Sequence, residues 1–315
     1  MYYSVFAHLL IYSVSFLLIW QGSGMIIQSV HAFSRKLKFS PFAVSFILLG
    51  LLTSVPEFSV GLQSVSERNP EIFIGNLIGG ITVLFLFIIP LLAIFGKGIS
   101  LKHELDVKTL AATLGVILAP SALILDGYVS NIEGFVMICL YITLLLIIER
   151  KHGIFDKENA KLLSTKVYSP KDFLKLIFGI GLVFVSSTLI VEKTLFFAEL
   201  INIPAFYISL IVISLGTNLP EISIAIRAVI SGKRDIAMGD YMGSAAANTL
   251  FFGVFTILSH GEVLTVGNYL TTFMFISTAL FLFFVFSATK KYISQLDGLM
   301  LLIVYFIFLV LEFLR

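Results

Sequence analysis

Long apolar segments alternate with short polar turns along the whole of this 315-residue chain. A helix needs about 20 apolar residues to cross the hydrocarbon core of a bilayer, because each residue adds about 1.5 Å. The segments reach that length, and they lack the strict alternation of apolar and polar residues that a membrane β-barrel requires. We therefore predict an all-α membrane protein whose ten spanning helices cover roughly residues 5–30, 42–66, 72–96, 106–125, 131–149, 173–192, 203–230, 236–259, 266–288 and 295–314.

The composition supports this class and excludes several others. Hydrophobic residues make up 58% of the chain, charged residues 13%, and the mean hydropathy is +1.02, so a soluble domain is excluded. No basic patch with interleaved aromatic residues is present, and we expect no nucleic-acid partner. The single cysteine, Cys139, can form neither a disulfide framework nor a thiolate metal site. No nucleophile lies beside a base, so we expect no enzyme activity and no cofactor.

A charged stretch divides the chain into two sets of five predicted helices. The sequence predicts a first five-helix repeat over residues 1–149, a cytoplasmic linker over 150–172 and a second repeat over 173–315. If the N-terminus lies outside, 17 of the 21 lysine and arginine residues fall in loops on the inner side. The positive-inside rule therefore predicts a multi-pass protein of the inner or plasma membrane with both termini outside.

The odd number of helices in each repeat reverses the orientation of the second repeat. The two repeats are then inverted, and a pseudo-two-fold axis in the membrane plane relates them. Many secondary transporters have this architecture, with the substrate site near the midplane between the repeats.

A proline–glutamate pair occurs in each repeat, with a constant offset of 164 residues. Pro56-Glu57 lies within the segment Thr53–Ser59, and Pro220-Glu221 lies within Thr217–Ser223. A glycine motif follows each pair in the same register: Gly75-Asn76-Leu77-Ile78-Gly79-Gly80 in the first repeat and Gly239-Asp240-Tyr241-Met242-Gly243-Ser244 in the second. A carboxylate in hydrocarbon costs about 2.5–3.5 kcal/mol, and a proline inside a helix removes a backbone hydrogen bond. Both unfavourable features recur at matched positions, which indicates one two-sided site that arose by internal duplication.

The residue types at the pairs favour a hard cation. Each proline should break its helix and free carbonyl oxygens near Leu52–Thr53 and Gly216–Thr217. The side chains of Thr53, Ser54, Thr217 and Asn218 add further oxygens one turn from the glutamates. Two bidentate glutamates with these oxygens approach the six to eight ligands that calcium takes. No histidine or thiolate is near, which disfavours zinc or copper.

Electrostatic repulsion should keep the empty pair from carrying both charges. Two carboxylates about 5 Å apart repel by roughly 3 kcal/mol at an effective dielectric constant of about 20. Without a divalent ion, the pair should hold a proton or recruit monovalent cations. The residues leave open whether the counter-ion is sodium or a proton.

The duplicated motifs resemble the alpha-repeats of the calcium:cation antiporter superfamily, and most of all its prokaryotic sodium/calcium exchanger branch. The family pattern is Gly-Thr-Ser-Leu-Pro-Glu followed by Gly-Asn-x-x-Gly-Ser-Asn-x-x-Asn or -Asp. The second repeat keeps much of it as Gly216-Thr217-Asn218-Leu219-Pro220-Glu221 and Gly243-Ser244. The resemblance covers essentially the whole chain. It implies that Glu57, Glu221 and the Thr53 and Thr217 backbones bind calcium, and that Ser54, Asn218 and Ser244 contribute to sodium sites.

The chain departs from this pattern at three positions. Gly80 and Leu84 stand where the first repeat would offer a serine and an asparagine, and Asn248 stands where the second would often offer an aspartate. Two side-chain oxygens and one charge are therefore absent from the places that help to form the family's middle and outer sites. We keep Asn248 among the candidate ligands.

Asp240 has two interpretations. Asp240, Ser244 and Asn248 share one face of a predicted helix, so Asp240 could supply a third carboxylate. The interpretation we favour is a structural ion pair with Arg227, because the equivalent residues of the first repeat, Gln63 and Asn76, form a neutral pair.

The leading hypothesis is a monomeric antiporter that exchanges calcium for sodium by alternating access at Glu57 and Glu221. A proton-coupled exchanger of calcium or another cation is the first alternative. A cation-binding membrane module that does not transport is the second.

Overall fold

The computed structural model describes residues 2–34, 45–100, 106–152, 170–231, 234–260 and 269–313. Helices account for nearly all of them, so the all-helical class is confirmed. Most of the predicted linker lies outside the described residues. The helices are α1 (Tyr2–Ser34), α2a (Ser45–Thr53), α2b (Val55–Ser66), α3 (Pro70–Phe95), α4 (Val107–Leu123), α5 (Asn131–His152), α6 (Pro170–Ile201), α7a (Ala205–Thr217), α7b (Leu219–Ser231), α8 (Arg234–Leu258), α9 (Tyr269–Lys290) and α10 (Gln295–Phe313).

Among the described residues, seven helices are long and apolar enough to cross a membrane. The number rises to nine if α2a–α2b and α7a–α7b each count as one bent span. Helix α4 is also apolar but has only 17 residues. The predicted number of ten crossings therefore stays a prediction.

The two proline–glutamate motifs break their helices, as the sequence predicts. The axis bends by 46° between α2a and α2b and by 42° between α7a and α7b. The residues at the breaks, Ser54 and Asn218, have nearly the same backbone angles: φ −81° and ψ 9° for the first, φ −85° and ψ 11° for the second. The N–H groups of these two residues point to the carbonyl oxygens of Leu52 and Gly216, so these carbonyls are less free than the sequence predicts. Each break leaves its glutamate in the first turn of a new helix.

Helices α3 and α8 form the centre of the molecule. In α3 every residue from Ile72 to Val83 is buried, and 78% of the most apolar part of α8 is buried. Each of these helices carries the glycine motif of its repeat and packs against the broken helix of the other repeat. Side chains on them contribute to one large apolar core, in which Phe73 of α3 contacts Phe252 and Phe255 of α8.

Two glycines allow this close approach of helix backbones. A methyl group on Gly79 would collide with the carbonyl oxygen of Leu210, and one on Gly243 would collide with the carbonyl oxygen of Phe46. Gly79 and Gly243 are offset by 164 residues, and so are Phe46 and Leu210. Such reciprocal contacts are what a two-fold relation between the repeats produces.

The structure also contains one small feature that hydrophobic patterning does not predict. The two-residue strands β1 (Ile99–Ser100) and β2 (Tyr292–Ile293) pair in antiparallel orientation. They connect the end of α3 to the turn between α9 and α10. Segments of two residues are too short to give a period-2 signal in the sequence.

Candidate cation site

Both glutamates lie in the centre of the molecule, where the breaks in the two bent helices face each other. Glu57 is 1% exposed and Glu221 is 0% exposed. Their carboxylates are close enough for the negative charges to repel one another. Thr53, Ser54, Thr217 and Asn218 are buried around them. The structure thus brings the main candidate residues of the two repeats together.

Hydrogen bonds join each glutamate to the second repeat. The Asn218 side-chain amide donates to Glu57 Oε1 at 3.2 Å, so a residue of α7 contacts the acid of α2b. The Ser244 hydroxyl donates to Glu221 Oε1 at 3.1 Å. Ser244 also lies 2.8 Å from the Ser54 hydroxyl, with either oxygen as donor. Asn218, Ser54 and Ser244 therefore surround the carboxylates, as the family resemblance implies.

The two threonines make equivalent contacts across the repeats. The Thr53 hydroxyl lies 3.1 Å from Asp240 Oδ1, and the Thr217 hydroxyl lies 3.0 Å from Asn76 Oδ1. The offset of 164 residues relates Thr53 to Thr217 and Asn76 to Asp240. The two contacts are thus copies of each other, except that one acceptor is an amide and the other a carboxylate.

The site contains several buried oxygens that accept no hydrogen bond from the described residues. These are Glu57 Oε2, Glu221 Oε2, Asp240 Oδ2, Asn218 Oδ1 and Asn248 Oδ1. A buried polar atom without a partner costs about 1–3 kcal/mol, and more if it is charged. Carboxylate and amide oxygens are ligands of hard cations such as calcium. The residues present therefore fit a cation as substrate.

The three departures from the family pattern lie in the same place. A methyl group on Gly80 would lie 3.0 Å from Asn248 Nδ2 and 3.3 Å from Asn218 Nδ2, so Gly80 faces the site without contributing an oxygen. Leu84 is fully buried and is the first residue of a π-helical turn in α3. Asn248 is buried and donates through its amide to the Leu77 carbonyl at 3.2 Å. The second repeat therefore supplies more side-chain oxygens than the first.

Asn76 and Asp240 are not among the ligands that the sequence analysis selects, yet both face the site. Their equivalence under the offset could have identified them, but their contacts with the threonines depend on how the repeats pack. The predicted partner of Asp240 is the side chain of Arg227, which lies outside the described part of the chain. The ion pair between them therefore stays a prediction.

The carboxylates do not all converge on one point. Within the described residues, no three histidine, cysteine, aspartate or glutamate side chains are grouped closely enough to hold a single metal ion. A cation between Glu57 and Glu221 must take its remaining ligands from hydroxyl, amide and carbonyl oxygens.

Comparison with known proteins identifies a family that covers both repeats. The family described as "Sodium/calcium exchanger protein" matches residues 7–148 and 171–314. The sodium/calcium exchanger MaX1 of Methanosarcina acetivorans is 23% identical over 341 aligned positions, which cover 93% of this chain and 95% of the relative. The inner membrane protein YrbG of Escherichia coli is 23% identical over 261 positions, which cover 79% of each chain.

The fold also matches a solved structure. The sodium-calcium exchanger NCX_Mj, from crystals soaked with sodium and strontium, superimposes with a TM-score of 0.70 at 21% identity. The match covers 97% of this chain and 98% of that one. At this identity the likeness concerns the fold.

Proposed function

Because the chain belongs to the sodium/calcium exchanger family, a branch of the calcium:cation antiporter superfamily, we propose that it is a cation antiporter that exchanges calcium for sodium. The proposed site is shared by Glu57 and Glu221. In this proposal ten helices form two inverted repeats in the inner or plasma membrane, the termini lie outside, and one chain is the functional unit. Calcium and sodium are substrates, and no cofactor takes part.

The hydrogen bond from Asn218 to Glu57 carries the proposal. It joins the broken helix of one repeat to the acid of the other, at a site from which bulk water is excluded by burial. A cation bound there contacts both repeats at once. Movement of one repeat against the other can therefore change access to the cation while its ligands stay near it.

The broken helices favour a cation at this point. The C-terminal ends of α2a and α7a point their carbonyl groups towards the breaks, and such ends carry partial negative charge. Glu57 and Glu221 each lie in the first turn of the following half-helix, where the helix dipole stabilises a carboxylate. The half-helices thus position both the carbonyl oxygens and the acids.

Charge explains why one site can exchange the two ions. Two carboxylates match the charge of one calcium ion, and the buried pair is unfavourable when it is left without a cation. Sodium ions or protons must therefore replace calcium on the return step. The obligatory replacement couples the flux of one ion to that of the other.

A proton-coupled exchanger is the alternative that a specific observation favours. Gly80 and Leu84 provide no side-chain oxygen in the first repeat, so the chain has fewer ligands for several sodium ions. A cation-binding module without transport is the other alternative, and it predicts binding without flux.

Uptake of calcium-45 into proteoliposomes tests the proposal. Vesicles loaded with sodium should accumulate calcium when they are diluted into sodium-free medium, whereas vesicles with Glu221→Gln protein should not. Uptake driven by a pH gradient but not by sodium would establish the proton-coupled alternative. Absence of uptake under both gradients, with calcium binding retained in detergent, would overturn antiport.

A further inference from the structure

The largest chemical difference between the repeats at the site is the pair Asn76 and Asp240. Both residues accept a contact from the threonine of the opposite repeat, at 3.0 Å and 3.1 Å. The geometry is therefore the same, but only the second repeat carries a charge there. This charge is not needed to match a calcium ion between the two glutamates.

Asp240 is placed to bind a cation. It is 0% exposed, and its Oδ2 atom has no hydrogen-bond partner among the residues that the structure describes. Its charge interacts with that of Glu221, and Thr53 contacts Asp240 through the hydroxyl. Thr53 is also near enough to interact with Glu221. The Thr53 hydroxyl thus lies next to two carboxylates of the second repeat.

Asp240 does not complete the ligand set of the ion between the glutamates. No three acidic side chains of the described chain are grouped closely enough to share one metal ion. A cation held by Asp240 must therefore occupy a different position, on the Thr53 side of Glu221.

We propose that Asp240, Thr53 and Glu221 form a second cation subsite, beside the position between the glutamates, that takes one monovalent cation of the size of sodium. This inference rests on the proposed function, because it assigns calcium to the neighbouring position. Calcium and one monovalent cation together neutralise the three carboxylates, and an uncompensated buried charge is strongly unfavourable. The first repeat has no equivalent subsite because Asn76 is neutral.

Sodium competition with calcium binding tests the subsite in purified protein. Calcium-45 binding is measured in detergent while sodium replaces choline at constant ionic strength. Asp240→Asn should bind calcium within about fivefold of wild type, but the sodium concentration for half-displacement should rise about tenfold or more, which corresponds to about 1.4 kcal/mol. The matched control is Asn69→Asp, which places a carboxylate on an exposed turn and should change neither value.

A second measurement does not depend on a variant that folds. Wild-type protein saturated with calcium should bind one sodium-22 ion per chain. Absence of that sodium would overturn the subsite, and so would unchanged sodium competition in Asp240→Asn. A defect of Asp240→Asn that Arg227→Gln restores would also overturn it in favour of the ion pair.

Failure of the proposed function gives a different result. If wild-type protein binds no calcium, the assignment of the glutamates is wrong. Sodium-22 that binds to wild type and is lost in Asp240→Asn would still establish the subsite.

Discussion

The two repeats build the same framework around the site but place different charges on it. In both, a threonine before the proline–glutamate pair contacts position 76 or 240 of the opposite repeat. In both, a glycine of the following helix lies against a carbonyl oxygen of the opposite broken helix. The first repeat, however, supplies one buried carboxylate and the neutral residues Gly80 and Leu84, whereas the second supplies two carboxylates and the polar residues Ser244 and Asn248.

This difference separates two roles of the duplicated motif. The hydroxyl contacts and the close glycine packing recur because they hold each broken helix against the other repeat. The charges and amides need not recur, since one site lies between the repeats and either repeat can supply a ligand. Packing should therefore respond symmetrically to mutation, and cation binding should respond asymmetrically.

The orientation of the repeats gives the largest expected effect, because labelling at a given position is all or none. In a Cys139→Ala background, Glu67→Cys should react with impermeant thiol reagents in intact cells, and Ala160→Cys should react only with permeant ones. The lysine and arginine distribution places residue 67 outside and residue 160 inside. Labelling of Ala160→Cys by an impermeant reagent would contradict the inverted arrangement.

Loss of either glutamate should reduce calcium affinity by an order of magnitude or more. Glu57→Gln and Glu221→Gln each remove one of the two charges that match calcium, and about 1.4 kcal/mol already gives a tenfold change. Titration calorimetry of the purified variants measures the effect. Glu67→Gln is the matched control, because Glu67 is exposed and accepts only a surface hydrogen bond from Gln63 within the described structure. Near-normal affinity in either glutamate variant would refute a shared site.

The sequence predicts the parts of this molecule that depend on local chemistry. Apolar segment length predicts the helices, Pro56 and Pro220 predict the two breaks, and the offset of 164 residues predicts which residues are equivalent. The motifs also predict that Glu57 and Glu221 contribute to one site, and the structure places them together in the core.

The sequence does not predict contacts that depend on how the repeats pack. The position of Asp240 next to Thr53 requires the relative placement of α8 and α2a, and no local pattern encodes it. The same holds for Gly79 and Gly243, whose need for a small side chain follows from carbonyl oxygens of distant segments.

The packing glycines should show the symmetric response. Gly79→Ala and Gly243→Ala each place a methyl group against a backbone carbonyl, which cannot move as a side chain can, so each should destabilise the protein by about 1–3 kcal/mol. Thermal unfolding in detergent measures the change. Gly115→Ala in α4 is the control, because a methyl group there meets no atom within 4 Å. A harmless substitution at one position and a severe one at the other would contradict the two-fold framework.

Restoring a hydroxyl at position 80 should give the smallest effect. Gly80→Ser adds to the first repeat the oxygen that Ser244 provides in the second, close to Asn218 and Asn248. One added hydrogen-bonding ligand contributes about 1 kcal/mol, so the sodium concentration that displaces calcium should fall by about fivefold. Gly80→Ala has the same Cβ without the oxygen and should show no such fall. Equal behaviour of the two variants would mean that position 80 does not contact the cation.

The stoichiometry of calcium binding tests the central claim most directly. Equilibrium dialysis of purified wild-type protein with calcium-45 should give one ion per chain, and both Glu57→Gln and Glu221→Gln should lose that ion at the concentration that saturates wild type. Two ions per chain in wild type, with one retained in each variant, would show that each repeat has its own site and would contradict the shared one.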